Sequence, residues 1–458
     1  MSARVRVVVL LLIIAVRPAS AQTVTLDQAM QYALDHYPTV RAALEQVHAS
    51  AARVDVAHAA YLPRLDTIWQ SNRATANNIF GQLLPQSVIP AMSGPVLVST
   101  SAESVWGSAA GALLSWDAVD FGLRRASIAG ADAALTRARA GETLTRLDVQ
   151  SAVGAAFLEA LAAQRAITAA QADVDRRDVL GRMIHTLVDN ELRPGADASR
   201  ADAERAAAQT RLIRAQQTRT VAQAMLVRLL GVTAGRVTIA GDGLLEHLPG
   251  VDVTGGAAVS HPLAQVQQAV VDQARAFEQV LARTDLPHVY LQSSVFARGS
   301  GANAAGPFEG GAAGLGPDRA NWAAGVQVVF PNVFDFSSLR ARKAAATATT
   351  RAETARLEEA VLTVTSQQQT AAALLQAARA VAANTPIQLA AARSSETQAR
   401  ARYDAGLTSV VDVADAQSLL AQAEIQDELA RVDVWRALLA AAVAQGDVTP
   451  FLNLVRQP

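Results

Sequence analysis

The chain has 458 residues, half of them hydrophobic but only 4% aromatic, with a net charge of −1 and a pI near 6.7. That balance argues against nucleic acid as a partner. The chain has no cysteine, which excludes a disulfide framework, thiolate metal ligands and a thiol nucleophile.

Residues 1–21 read as a secretory signal: Arg4 and Arg6, the apolar run Val7–Val16, then Ala19-Ser20-Ala21 as the cleavage site, so that the mature chain starts at Gln22. The run is shorter than the about 20 residues a membrane-spanning helix needs, and no later apolar segment is longer. Insertion into a membrane would therefore require a β-barrel. No cysteine follows the signal to carry a lipid.

A first structural repeat is expected over 22–231. Leu26–Tyr61 has a helical pattern broken at Pro38 and ended by Pro63. Aromatic, glycine and serine residues then mark a β-hairpin over about 64–117, and long Ala-rich helices fill about 120–231, with a break at Arg193-Pro194-Gly195. Seventy helical residues would run about 105 Å. Gly-rich 232–260 is a linker. The pattern restarts over 261–445, with a β-hairpin over about 288–331 and long helices over about 336–445; 446–458 is a C-terminal tail. Tyr37-Pro38 and Leu62-Pro63 recur as His261-Pro262 and Leu286-Pro287; Asp120-Phe121, Leu192 and Asp197 recur as Asp335-Phe336, Leu407 and Asp412. A repeat this long is a duplicated half-domain. Pro386 should kink or interrupt the second long helix.

Alternation in the hairpins gives one small apolar face with an aromatic at each end: Trp106 to Trp116 in the first copy and Trp322 to Phe330 in the second. The ten residue steps from Trp106 to Trp116 cover about 33 Å, and with strand tilt this projects to about 25 Å, the apolar band of an outer-membrane barrel with two aromatic girdles. The partner strands are Arg64–Ser71 and His288–Arg298, with Asn72–Glu103 and Gly299–Asp318 as flexible loops. Four strands per chain are too few to close a barrel, whereas three chains would supply twelve. Two soluble β-hairpins are the alternative reading of the same segments.

The long helices carry a 4-3 pattern at Ile425, Leu429, Val432, Leu439 and Val443, with Arg436 interrupting at the remaining position, as in coiled coils. Charged runs such as Asp173-Val174-Asp175-Arg176-Arg177-Asp178 read as solvated helix faces. Arg402–Ala416, RYDAGLTSVVDVADA, joins the last two long helices and crowds Tyr403, Asp404, Gly406, Asp412 and Asp415 together. Asp412 also suits the N-cap of the returning helix, a role Asp197 would fill in the first copy. Glu191 stands where the second turn has Gly406, and Pro194 lies nearby, so the two turns are expected to be built differently. The seven histidines show no metal-ligand spacing, and no nucleophile elbow or P-loop occurs. His36 and His261, each shortly before a proline (Pro38 and Pro262), suit turns.

In order, duplication and spacing, the chain resembles the TolC-like outer-membrane efflux protein family over nearly its whole mature length. The segments that carry the resemblance are Tyr32–Leu65, Leu113–Leu135, Arg228–Val232, Val329–Ala346 and Ala401–Ala440. The resemblance implies a mainly α fold with a membrane β-barrel: a trimer whose twelve-stranded barrel continues as a periplasmic α-helical barrel. It implies a passive exit duct of a tripartite efflux or type I secretion system in a Gram-negative outer membrane, without enzymatic activity, cofactor or metal. Its partners would be a periplasmic adaptor, an inner-membrane transporter and outer-membrane lipid. By the same resemblance Asp412 and Asp415 are the periplasmic gate, and Tyr403, Gly406 and Thr408 form the tip turn where an adaptor docks. Some relatives carry a basic residue where Thr408 stands. Trp106, Trp116, Trp322 and Phe330 are the expected membrane girdle. A soluble periplasmic coiled-coil adaptor or scaffold is the competing class.

Overall fold

The computed structural model describes residues 22–75, 77, 83–84, 86–89, 102–232, 237–246, 248–250, 256–302, 310–331 and 335–456. The segment expected to be a secretory signal lies outside them. The elements are β1 (Gln22–Val24), α1 (Leu26–His36), α2 (Pro38–Ala59), β2 (Arg64–Thr75), β3 (Ser104–Val119), α3 (Leu123–Asp189), α4 (Gly195–Leu230), β4 (Val237–Ile239) and α5 (Asp242–Glu246). A short 3-10 turn at Ala258–Ser260 is followed by α6 (Pro262–Arg283), β5 (His288–Ser300), β6 (Arg319–Val329), α7 (Phe336–Asp404), α8 (Val410–Gln445) and α9 (Thr449–Arg456). The segment expected as a linker thus carries β4 and α5, and the expected tail carries α9. β2 is longer than its alternation suggested, because its pairing with β3 continues to Thr75↔Ser104.

Two compact units form. One contains the chain up to Glu45, Ala140–Val266 and the chain from Glu358. Its core gathers Leu26 and Met30 of α1, Val153, Phe157 and Leu161 of α3, Leu226 of α4, Trp435 and Leu438 of α8, and Phe451 of α9. Each such side chain contributes about 1.5–3 kcal/mol when fully buried. Trp435 keeps its one polar atom satisfied by donating Nε1–H to the Leu244 carbonyl, and its ring meets Phe451 edge-on. β1 pairs in parallel with β4. His261 ends the turn before α6: its Nδ1 accepts the Leu263 amide at 3.1 Å, and its Nε2 lies 3.0 Å from the Val443 carbonyl. The two contacts tie the ring to the start of α6 on one side and to α8 on the other.

The run Asp173–Asp178 is not a solvated face. Asp173 and Arg177 are each about 2% exposed at their side chains. The i,i+4 pair is closed by partners from two other helices. Arg177 donates to Asp173 at 3.0 Å, to Glu204 of α4 at 2.8 Å and to Ser418 of α8 at 2.9 Å. Arg211 of α4 reaches the second oxygen of Asp173 at 2.7 Å. Arg176 forms a bidentate pair with Glu424 of α8. Ala-rich helices approach closely enough to bury these charges, and the pairing of Asp173 with Arg177 and Arg211 offsets the desolvation that burial costs.

Pro386 does not interrupt α7, which runs unbroken from Phe336 to Asp404. The adjoining Thr385 is buried and donates to buried Asp427 of α8 at 2.9 Å, and Arg431 also reaches that carboxylate. This polar link falls between two apolar clusters, one reaching Ala382 of α7 and the other starting at Leu389.

The second unit spans Gln46–Arg139 and Gln267–Leu357. Its sheet has the order β2-β3-β5-β6, antiparallel throughout. The outer edges of β2 and β6 have no strand partner among the described residues. Gly111 lies opposite Phe296, and a Cβ there would come 2.7 Å from the Phe296 Cβ, so the pairing requires glycine. α2 and α6 both begin on proline, which costs nothing at a helix's first position.

Candidate functional site

The β-sheet separates its side chains into two unlike faces. Cross-strand rows place Leu65, Trp69, Leu114, Trp116, Leu291, Val295, Trp322, Val326 and Val328 on one side. All are exposed, Trp69 at 70% and Trp322 at 79%. The opposite side carries Asp66, Gln70, Asn72, Ser115, Gln292, Ser294, Asn321 and Gln327. An exposed apolar face backed by a polar one is the reverse of a water-soluble sheet, and it matches a wall between lipid and an aqueous lumen. Among the described residues no helix is long and apolar enough to cross a membrane.

The four expected girdle residues lie at different places on this sheet. Trp116, Trp322 and Phe330 are exposed. The Trp116 indole donates to the Tyr61 carbonyl at 2.9 Å. Trp106 is half-buried opposite Arg73, whose guanidinium lies over its ring at 5.6 Å. Trp322 is level with Ala112 through Val295, six residues from Trp106 along β3. Trp69, opposite Ala110, is only one step from that row. Sequence alternation missed Trp69, since β2 mixes polar and apolar residues on both sides and the apolar row emerges only from pairing with β3.

The two turns between long helices close the first helix of each pair in the same way, and differ, as expected, where the second begins: Ser409 and Asp412 form a capping box, whereas Pro194 gives no side-chain cap. After α7, the Leu407 amide donates to the Arg402 carbonyl at 2.8 Å and the Gly406 amide to Tyr403 at 2.9 Å. After α3, the Leu192 amide donates to Leu187 at 2.8 Å and the Glu191 amide to Val188 at 2.9 Å. Both are Schellman closures, whose pivot residue must be left-handed. Gly406 has φ +74 and Glu191 has φ +59. The side chain differs while the hydrogen bonds coincide, because those bonds and not the residue type set the turn.

Asp412 is not the N-cap. Ser409 holds that position and Asp412 is the third residue of α8, as Asp197 is of α4 behind Pro194. The Asp412 carboxylate accepts from the Thr408 hydroxyl, and from the Ser409 amide at 3.0 Å and hydroxyl at 2.9 Å. These donors, Thr408 first, hold its pKa below the ordinary carboxylate value, and Arg402 adds to the effect. Asp415 is exposed one turn further on, on the same open stripe as Val411, Asp412 and Leu419.

Tyr403 is 2% exposed, packed with Leu180, Ile184, Ala198, Ala201, Val410 and Val413. Its hydroxyl has no hydrogen-bond partner among the described residues. Arg193 stacks on the ring at 4.7 Å. Burial, helped by Asp197 and Asp404 against Arg193, pushes the phenol pKa up. Tyr403 is therefore a packing anchor linking both turns, while Gly406, Thr408, Asp412 and Asp415 are the accessible groups. The acidic, hydrogen-bonded start of α8 can attract cations and set the local charge.

A sequence profile of the family described as outer membrane efflux protein matches residues 29–232 and 255–446. No curated protein sequence matches. Among solved structures the fold is similar to the outer-membrane channel OprN (TM-score 0.72, 19% identity, 92% of this chain and 89% of that one). It is similar to CusC (TM-score 0.76, 14% identity, 92% of each chain). It is also similar to the open state of the MtrE outer-membrane channel of Neisseria gonorrhoeae (TM-score 0.72, 17% identity, 92% and 89%).

Proposed function

Because this chain belongs to the outer membrane efflux protein family, whose profile spans most of its length, we propose that three copies join into one passive exit duct in the outer membrane, extending into the periplasm. The observation that carries this reading is the sheet: one exposed apolar face, one polar face and two edges without a strand partner among the described residues. In the strand order β2-β3-β5-β6 the two edge strands run in opposite directions, so β6 of one copy can pair antiparallel with β2 of the next. Three such sheets close twelve strands, an even number with no edge left over. Nothing in the structure favours a soluble adaptor, which would leave the apolar face in water.

In this reading the hairpin turns form the closed periplasmic end. Three copies of Asp412 and Asp415 line the constriction with carboxylates, which would make it cation-attracting. Tyr403 with Arg193 fastens the two hairpins of a copy together, and Gly406 and Thr408 present the turn to a periplasmic adaptor. An inner-membrane transporter supplies energy and cargo choice. The duct itself catalyses no reaction. Trp116, Trp322 and Phe330, joined by Trp69, form the lipid contact.

The test is electrical. Purified protein in a planar bilayer should show cation-selective channels, and Asp412→Ala with Asp415→Ala should lower that selectivity. Unchanged conductance and selectivity in the double variant would overturn the gate. Recovery of the unaltered protein as a water-soluble monomer would overturn the barrel.

A further inference from the structure

The polar face of the sheet is not bare. Part of the β2–β3 connection returns onto it: Val88 and Ile89 are buried against Ala109 and Phe296, with Ile68, Leu83 and Leu113 completing the cluster. Ile68, Ala109, Leu113 and Phe296 all belong to the polar side of the register, and Ala109 and Leu113 lie midway along β3. A segment crossing an apolar surface must satisfy its own backbone. Here Gln86 does this: its Oε1 accepts the Val88 amide at 2.5 Å and the Ile89 amide at 2.9 Å, and its Nε2 donates to the Ile89 carbonyl at 2.8 Å. Gly111, having no Cβ, leaves the space that Phe296 needs beside it. Beside this seated cluster, Leu84 is 59% exposed.

We propose that Leu84, held by the Gln86 turn and the Leu83–Val88–Ile89 seat, is a specificity-determining residue: repeated in each copy, it forms an apolar ring inside the barrel. The proposal rests on the reading of the sheet as a barrel wall with its polar face inward. An apolar ring in a polar lumen resists wetting and raises the barrier to bare ions. Apolar and amphiphilic molecules meet no such barrier, because they lose little hydration there. The duct would thus have a filter in the membrane, separate from any acidic constriction at the hairpin turns. Its preference would be for apolar or amphiphilic cargo over small hydrophilic solutes.

The native chain has no cysteine, so a single introduced thiol is the only reactive one. Leu84→Cys, an exposed position whose replacement spares the fold, is placed in purified channels in a planar bilayer. It is studied with the native turns and with Asp412→Ala/Asp415→Ala, so that resistance at the turns cannot mask the effect. A small cationic methanethiosulfonate is then added in water. Modification should change the single-channel current in at least one background. Leu84→Asp should raise cation conductance, and Gln86→Ala, which frees the turn, should act in the same direction. Val326→Cys, on the apolar face, serves as the control and should be shielded by lipid. If Val326→Cys reacts as fast as Leu84→Cys, the barrel reading itself fails. If Val326→Cys is shielded, Leu84→Cys reacts, and the current is unmoved in both backgrounds, the barrel stands and the apolar ring is overturned.

Discussion

Replacing Glu191 with glycine should tighten the first hairpin turn, and replacing Gly406 with alanine should loosen the second by a similar amount. Both residues sit at the left-handed pivot of a Schellman closure, at φ +59 and +74. A side chain in that region costs about 1–2 kcal/mol. Glycine returns about 0.4–1 kcal/mol of this through the greater freedom of its unfolded chain. The net is about 0.5–1 kcal/mol, favourable for Glu191→Gly and unfavourable for Gly406→Ala. No heavy atom lies within 4 Å of a Cβ built on Gly406, so the backbone term stands alone there. The amides to follow are Leu192, bonded to the Leu187 carbonyl, and Leu407, bonded to Arg402. Hydrogen exchange of peptides covering each turn reads local opening directly. At a factor of ten per 1.4 kcal/mol, exchange at Leu192 should slow by about two- to fivefold in Glu191→Gly, and exchange at Leu407 should quicken by the same factor in Gly406→Ala. Faster exchange at Leu192 in Glu191→Gly would refute the shared design, because it would mean the glutamate side chain holds the turn and its backbone strain is irrelevant.

Arg177→Met should lower the thermal midpoint far more than Arg393→Met on the exposed side of α7, because it strands part of a buried charge set at a cost of about 3–5 kcal/mol; equal shifts would contradict the buried network. The lowered pKa of Asp412 makes its carboxylate a stabilising group above the unfolded-state value, near 3.9, and that stability is lost as pH falls through the folded-state value. Asp412→Asn should therefore be less stable than the unaltered chain at pH 6, and the gap should shrink by pH 3; a gap that persists at pH 3 would refute the assignment.

The duplicated order of helices and hairpins was legible in the chain because prolines, glycines and the shift from helical to alternating pattern mark each border. The apolar rows of β3 and β6 were legible because each alternates within its own strand. Trp69 was not, because its place on the apolar side depends on pairing with β3. Asp173 and Arg177 were misread as solvated, since a charge pair at i,i+4 looks the same in sequence whether or not Glu204, Arg211 and Ser418 converge on it. The likeness of the two turns was hidden for a related reason. Glycine and glutamate differ as letters, while the hydrogen bonds that fix the pivot belong to the backbone. The seat under Val88 and Ile89 had no signal in periodicity, because short irregular segments are placed by what they land on.

The open edges of β2 and β6 also bear on how the duct is made. In the proposed assembly, each copy, until neighbours arrive, presents two strand edges that have no partner among the described residues, beside an exposed apolar face. Such surfaces pair with any strand they meet. Assembly from separate chains would then be a race between the correct neighbour and misassembly, and yield should depend steeply on how many chains are exported at once. Expression level, more than the stability of any single copy, would set how much working duct a cell obtains.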